Sequence, residues 1–131
     1  EKPSINNLPV YEDRVKNALT SSIPGAIFKL HTDNSYPYFF GFTGNYFDLK
    51  ADMITYEPSQ DAWNIASLKK DSHMAGFAGY KAKAILQEGV VIGVKEIGSG
   101  KLVYAADDPI FRNFWHAGKL LLTNMVFLNG K

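Results

Sequence analysis

The first ninety residues show a change from helical to extended spacing of apolar side chains. From residue 8 to residue 22 they recur every three or four positions, which predicts an amphipathic helix that ends at the Ile-Pro-Gly sequence beginning at residue 23. Residues 26–33 then predict a strand, and the glycine- and aromatic-rich residues 36–47 predict an irregular, partly buried loop. Residues 74–89 fit either a short helix or an extended segment. Shorter strands are predicted at residues 46–50, 53–57 and 62–68.

The last forty residues have a clearer pattern. Two β-rich runs, residues 90–97 and 101–106, are joined by Gly-Ser-Gly, which predicts a tight hairpin. Asp108 followed by Pro109 predicts the cap and first turn of a closing helix, which Asn129-Gly130 ends. The order of elements predicts an α/β layer structure with a mixed sheet. The apolar stripe predicted for the closing helix consists of Phe111, Phe114, Trp115, Gly118, Leu122, Met125 and Val126, with Leu121 on its flank.

Composition narrows the class of protein. The chain has 131 residues, of which 46% are hydrophobic, and this indicates one globular domain and excludes disorder. A net charge of +1 predicts no strong attraction to nucleic acid or anionic lipid, and no apolar run is long enough for membrane insertion. The absence of cysteine excludes disulfides and thiolate chemistry. The first ten residues are no signal peptide. Because the chain begins at Glu1 and not at Met, we expect a processed product or part of a longer protein.

Motifs for catalysis or metal binding are missing. The Gly-Ser-Gly-Lys sequence at residues 98–101 lacks the earlier glycine and the following Ser or Thr of a phosphate loop. His31, His73 and His116 have no second ligand at the spacing of a zinc site, and no serine stands in a nucleophile elbow. The sequence therefore predicts neither a catalytic residue nor a metal site nor a cofactor in this chain.

Two polar clusters follow predicted strands. If those strands ran parallel, both clusters would meet at the carboxyl edge of the sheet, where open α/β folds bind ligands. The alternative for each is structural: an ion pair between Asp107 and Arg112, and an Asx-type turn around Asp33. Asp108 is interpreted as a helix cap with no chemical role. The candidate binding residues are His31, Asp33, Asn34 and Tyr36 in one cluster, and Asp107 and Arg112 in the other.

Two stretches carry a resemblance to a known family. "SSIPGAIFKLHTDNSYP" and "GSGKLVYAADDPIFRNFWHAGKLLLTNMVF" resemble the C-terminal accessory domain of bacterial zinc carboxypeptidases of the carboxypeptidase A-like class. The likeness covers most of the chain and is weaker between residues 45 and 88. Its matched residues are Ile23, Pro24, Gly25, Ala26, Ile27, Lys29, Asp33, Asn34, Pro37, Gly98, Gly100, Val103, Ala106, Asp107, Asp108, Pro109, Phe111, Arg112, Phe114 and Trp115.

The resemblance implies a single domain over residues 1–131, with a flavodoxin-like three-layer arrangement similar to class I glutamine amidotransferases. The first strands of such a sheet are missing, so the sheet is expected to be incomplete or paired with another copy as a homodimer. The implied function is a non-catalytic accessory domain of a secreted or periplasmic peptidase, which supports or positions the peptidase domain of the same chain or its substrate. Zinc would belong to that parent domain. A sugar- or peptide-binding module is the alternative, and an independent hydrolase has the least support.

Overall fold

A computed structural model describes residues 8–130, which form a mixed α/β structure. Short 3-10 turns lie at Tyr11–Asp13, Pro37–Phe39 and Phe111–Asn113. The helices are α1 (Arg14–Thr20), α2 (Tyr80–Leu86) and α3 (His116–Phe127), and the strands are β1 (Gly25–Thr32), β2 (Tyr46–Lys50), β3 (Trp63–Ser67), β4 (Met74–Phe77), β5 (Val90–Ile97) and β6 (Gly100–Ala105).

The six strands form a curled sheet in the order β2-β1-β3-β5-β6, with β4 also paired to β1. Along one edge, β1 pairs with β2, while its other edge is divided between β4 at its start and β3 at its end. Every strand pair in the described part of the chain is antiparallel. The prediction of a mixed sheet is therefore wrong for residues 8–130, because none of their connections is a crossover between parallel neighbours.

Most predicted elements are present, but three differ from expectation. Residues 53–57 form no strand; only Tyr56 makes an isolated bridge, to Val90. Residues 74–89 contain both alternatives, since β4 is followed directly by α2. The closing helix begins at His116 and not near Asp108, because Arg112 and Asn113 adopt left-handed backbone angles, with φ of 49° and 60°, which interrupt the helix.

The core is formed by residues of the sheet, of α2 and of α3. Helix α3 buries Gly118, Leu121, Asn124 and Met125, whereas Val126 of the predicted stripe is 65% exposed. The Asn124 side-chain amide donates to the carbonyl oxygens of Tyr38 and Phe40, both at 2.8 Å. These two bonds attach α3 to the predicted loop at residues 36–47. Tyr38 and Phe39 of this segment are buried, and so is Tyr46 at the start of β2. The loop is therefore part of the core.

A buried charged cluster at the end of β2

The side chain of Lys50 is fully buried at the end of β2. Its Nζ donates to Asp107 Oδ2 at 2.7 Å and to the carbonyl oxygen of Ile54 at 2.8 Å. The Asp107 side chain is only 5% exposed, so this ion pair is shielded from solvent on both sides. A second carboxylate, Asp52 Oδ1, lies 3.8 Å from Nζ and is half-exposed. Breaking such a pair is costly, because it leaves an uncompensated buried charge.

Asp48 lies on the same face of β2 as Lys50, two residues earlier, and is 3% exposed. Burial raises the pKa of its carboxyl to about 8, and the negative charge of Asp107 and a hydrogen bond to it act in the same direction; Lys50 opposes them. Asp48 Oδ2 has no hydrogen-bond partner among the described residues. At neutral pH this carboxyl is therefore mainly protonated, and its proton can be donated to Asp107.

Tyr46 completes this inward face of β2, because residues 46, 48 and 50 alternate with outward-facing neighbours. Its hydroxyl is buried and has no hydrogen-bond partner in the described part of the chain. Burial raises the pKa of Tyr46, and the nearby charges of Asp48, Asp107 and Asp108 raise it further. We call Tyr46, Asp48, Lys50 and Asp107 the β2 cluster.

The acids that follow β6 have separate roles. Asp107 belongs to the β2 cluster and pairs with Lys50, so the expected structural ion pair with Arg112 is not formed. The Arg112 guanidinium instead lies over the Phe111 ring, 5.1 Å from its centroid, and is exposed. Asp108 Oδ1 accepts a hydrogen bond from the Ile110 N–H at 3.0 Å. Asp108 thus supports a turn before the 3-10 segment, and the prediction that it caps the closing helix is wrong.

The second predicted cluster lies at the end of β1. Asp33 Oδ1 accepts hydrogen bonds from the backbone N–H and the hydroxyl of Ser35, at 3.0 and 2.6 Å, which is the Asx-type turn expected as the structural alternative. Asn34 Oδ1 accepts from the Thr32 hydroxyl at 2.8 Å. His31 is exposed on β1, and Tyr36 packs edge-on against the Tyr38 ring.

The structure does not bring these two clusters together. Three antiparallel pairings lead from β1 through β3 and β5 to β6, so β1 and β6 run in opposite directions. Lys50, the partner of Asp107, is paired with Ala26 near the start of β1, while Asp33 follows its end. At about 3.3 Å per residue, the length of β1 separates the clusters by roughly 20 Å. The parallel geometry behind the shared-site hypothesis is absent, and ligand binding at either cluster stays a prediction.

Chemically, the β2 cluster combines an ammonium group, a carboxylate and a neutral carboxylic acid in a water-poor environment. Within residues 8–130, no three His, Asp or Glu side chains are grouped as metal ligands would be. No helix in the same range has the length and apolar character to cross a bilayer. No family model, curated protein or solved structure matches this chain.

The sequence indicated only Asp107 of this cluster. Lys50, Asp48 and Tyr46 were missed because Phe47 and Leu49 between them suggest the opposite inward face for β2, yet Phe47 is 41% exposed. The one available signal was the period-two spacing of three polar or amphipathic side chains within a predicted strand.

Proposed function

We propose that this chain is a non-catalytic accessory domain of a secreted zinc carboxypeptidase, which supports or positions the peptidase domain. The family resemblance of residues 21–37 and 98–127 suggests this parent. The structural observation that supports an interaction role is the exposed apolar surface of α1. The zinc and the catalytic residues would belong to the peptidase domain, and secretion follows from the same family resemblance.

The surface in question is a groove of about 640 Å³ between α1 and the segment that joins β4 to α2. We call it the α1 groove and define it by Val15, Leu19, Phe77 and Tyr80, which are 58, 52, 50 and 65% exposed. Val15 and Leu19 are four residues apart on one helix face, which a monomeric domain would normally turn toward its core. A contiguous apolar surface of this kind is typical of interaction sites.

Few contacts hold α1 to the rest of the domain. The Gly79 N–H donates to the Ser22 carbonyl oxygen at 2.9 Å, and no residue of α1 is buried. Glu12, Lys16 and Lys83 also line the groove. A partner with an apolar centre and charged rim would therefore fit the α1 groove, as expected for a contact between two domains of one chain.

The experiment is a comparison in the full-length parent enzyme, identified from the gene upstream of Glu1 by a domain with a His-x-x-Glu motif. Leu19→Glu should weaken the attachment of this domain, measured as faster proteolytic separation from the peptidase domain. Val126→Glu on α3 is the matched control, since Val126 is also exposed and apolar. An upstream gene without a peptidase domain would contradict the proposed parent, and equal proteolysis of both variants would contradict docking through the groove.

We also propose that the complete domain has the flavodoxin-like arrangement of class I glutamine amidotransferases. A likeness to class I amidotransferases requires parallel strands, and residues 8–130 provide only antiparallel pairs. In this proposal, strands from the parent chain extend the sheet at β2 or β6, the two ends of the strand order. A structure of the longer chain would decide this point, because added strands would have to run parallel to one of these two.

A ligand-binding module for sugar or peptide is the second candidate. It is favoured by a cleft of about 340 Å³ lined by Lys29, His31, Lys69 and His73, among other residues. The two lysines and two histidines would suit an acidic group such as a peptide carboxylate, and Asp71 of the same cleft would act against it. Titration with short acidic peptides, followed by NMR shifts of His31 and His73, would test it. Equal shifts with neutral peptides would contradict recognition of an acidic group.

A further inference from the structure

The β2 cluster has the arrangement needed for a covalent bond between two of its own side chains. Lys50 Nζ and Asp107 Oδ2 are 2.7 Å apart, and their side chains are 0% and 5% exposed. A third group, the Asp48 carboxyl, is 3% exposed and approaches Asp107. We propose that Lys50 and Asp107 condense spontaneously into an amide, an intramolecular isopeptide bond, with Asp48 as the proton relay.

Proximity and burial favour this reaction. The two reacting groups are held in contact by the fold, so no association step is needed. A proton transfer from Nζ to Asp107 leaves a neutral amine, which is the nucleophilic form of lysine. The aliphatic part of Lys50 and the buried Tyr46 keep water from the site, which limits the reverse hydrolysis.

The atoms balance without any oxidant or cofactor. The Nζ lone pair attacks Cγ of Asp107, and the Nζ–Cγ bond forms. Protonated Asp48 donates its proton to the departing oxygen of Asp107, while its other oxygen accepts a proton from Nζ, so Asp48 ends unchanged. The Cγ–O bond breaks and one water molecule leaves. The ammonium and carboxylate of the ion pair thus become one amide and one water.

Asp48 has the features that this role requires. No described residue donates a hydrogen bond to its Oδ2, so this oxygen can carry the acid proton. The raised pKa keeps the acid form present at neutral pH, as a general acid needs. Asp52, by contrast, is half-exposed, although its Oδ1 lies 3.8 Å from Nζ. Burial therefore distinguishes the two aspartates near the same lysine.

The test is intact mass spectrometry of the purified chain, followed by a tryptic map. The expected mass is lower than that of the sequence by one water molecule. Because an amide at Lys50 blocks tryptic cleavage, residues 30–69 should appear as one peptide joined to residues 102–112. The map separates this product from other water losses, such as cyclisation of Glu1. A folded chain of full mass after prolonged incubation, or a water loss located elsewhere, would overturn the proposal.

Variants test the relay. Asp48→Asn keeps the size of the side chain but cannot exchange a carboxyl proton, so it should stay at full mass. Asp52→Asn is the matched control, which should lose one water as the unmodified chain does. Circular dichroism confirms that each variant is folded, and the map of the unmodified chain tests the bond even if Asp48→Asn does not fold. Cross-linking of folded Asp48→Asn at the rate of the unmodified chain would refute the role of Asp48.

Discussion

The buried Asp48 carboxyl should make the stability of this domain fall as pH rises. Its pKa is raised from 3.8 to about 8 in the folded chain, mainly by burial. Below about pH 4 the carboxyl is protonated in both the folded and the unfolded chain, so it does not change the free energy of unfolding. Between pH 4 and 8 the unfolded chain releases this proton while the folded chain retains it, so the free energy of unfolding declines with rising pH. Above pH 8 both states are ionised and the full loss is present.

The magnitude follows from the pKa difference. Since each tenfold difference in proton affinity corresponds to about 1.4 kcal/mol, the full effect is on the order of 5 kcal/mol. This is comparable with the entire ~5–15 kcal/mol stability of a typical domain. The groups facing Asp48 are Asp107, Lys50, Asp52 and Tyr46. Because burial is the largest cause, the direction is the same whether Lys50 and Asp107 are joined or remain an ion pair.

Asp48→Asn provides the measurement. Asparagine does not titrate, so this variant should lose little stability between pH 5 and 9, whereas the unmodified chain loses on the order of 1 kcal/mol per pH unit up to pH 8. Urea denaturation at each pH, followed by the fluorescence of Trp63 and Trp115, gives the free energies. The exposed Asp61→Asn is the control and should follow the unmodified chain. Parallel pH profiles for Asp48→Asn and the unmodified chain would refute a neutral buried carboxyl.

Three further substitutions test the packing of α3 and the turn before it. A Cβ added at Gly118 would lie 1.4 Å from the Pro109 carbonyl oxygen, so Gly118→Ala should cost more than about 3 kcal/mol in a thermal melt, against about 1 kcal/mol for the exposed control Ala117→Gly. Asn124→Leu leaves two carbonyl oxygens without their donor and should cost about 2–4 kcal/mol; unchanged stability would contradict the role of this amide. Asp108→Ala should cost about 0.5–1 kcal/mol and Asp108→Asn almost nothing, by urea denaturation; equal losses would exclude the turn hydrogen bond.

Local patterns predicted elements well where a segment's own residues decide its conformation. The β5–β6 hairpin and strand β2 were confirmed at nearly the predicted bounds, because turn glycines and β-forming runs act within a few residues. The strand predicted at residues 53–57 is absent, because only Tyr56 pairs with another segment and it does so through a single bridge. The predicted start of α3 is wrong because the residue types of Arg112 and Asn113 do not by themselves indicate left-handed backbone angles.

The candidate site was less predictable for a different reason. Lys50 and Asp107 are 57 positions apart in the chain, and nothing in either segment identifies its partner. The hypothesis of a shared edge assumed parallel strands, and an antiparallel order places the same residues at opposite ends of the sheet. The direction of each strand depends on which segments pair across the whole domain. The local sequence of a strand does not show which segment it will pair with.

The divided edge of β1 has a consequence for the order of folding. The β5–β6 hairpin joins neighbouring segments, so it can form early and at a low entropic cost of loop closure. In contrast, the backbone groups of β1 are paired only after β2, β3 and β4 have joined it, from positions up to about fifty residues away in the chain. Until then β1 presents two open edges rich in apolar residues, which makes it the segment most exposed to aggregation during synthesis or refolding.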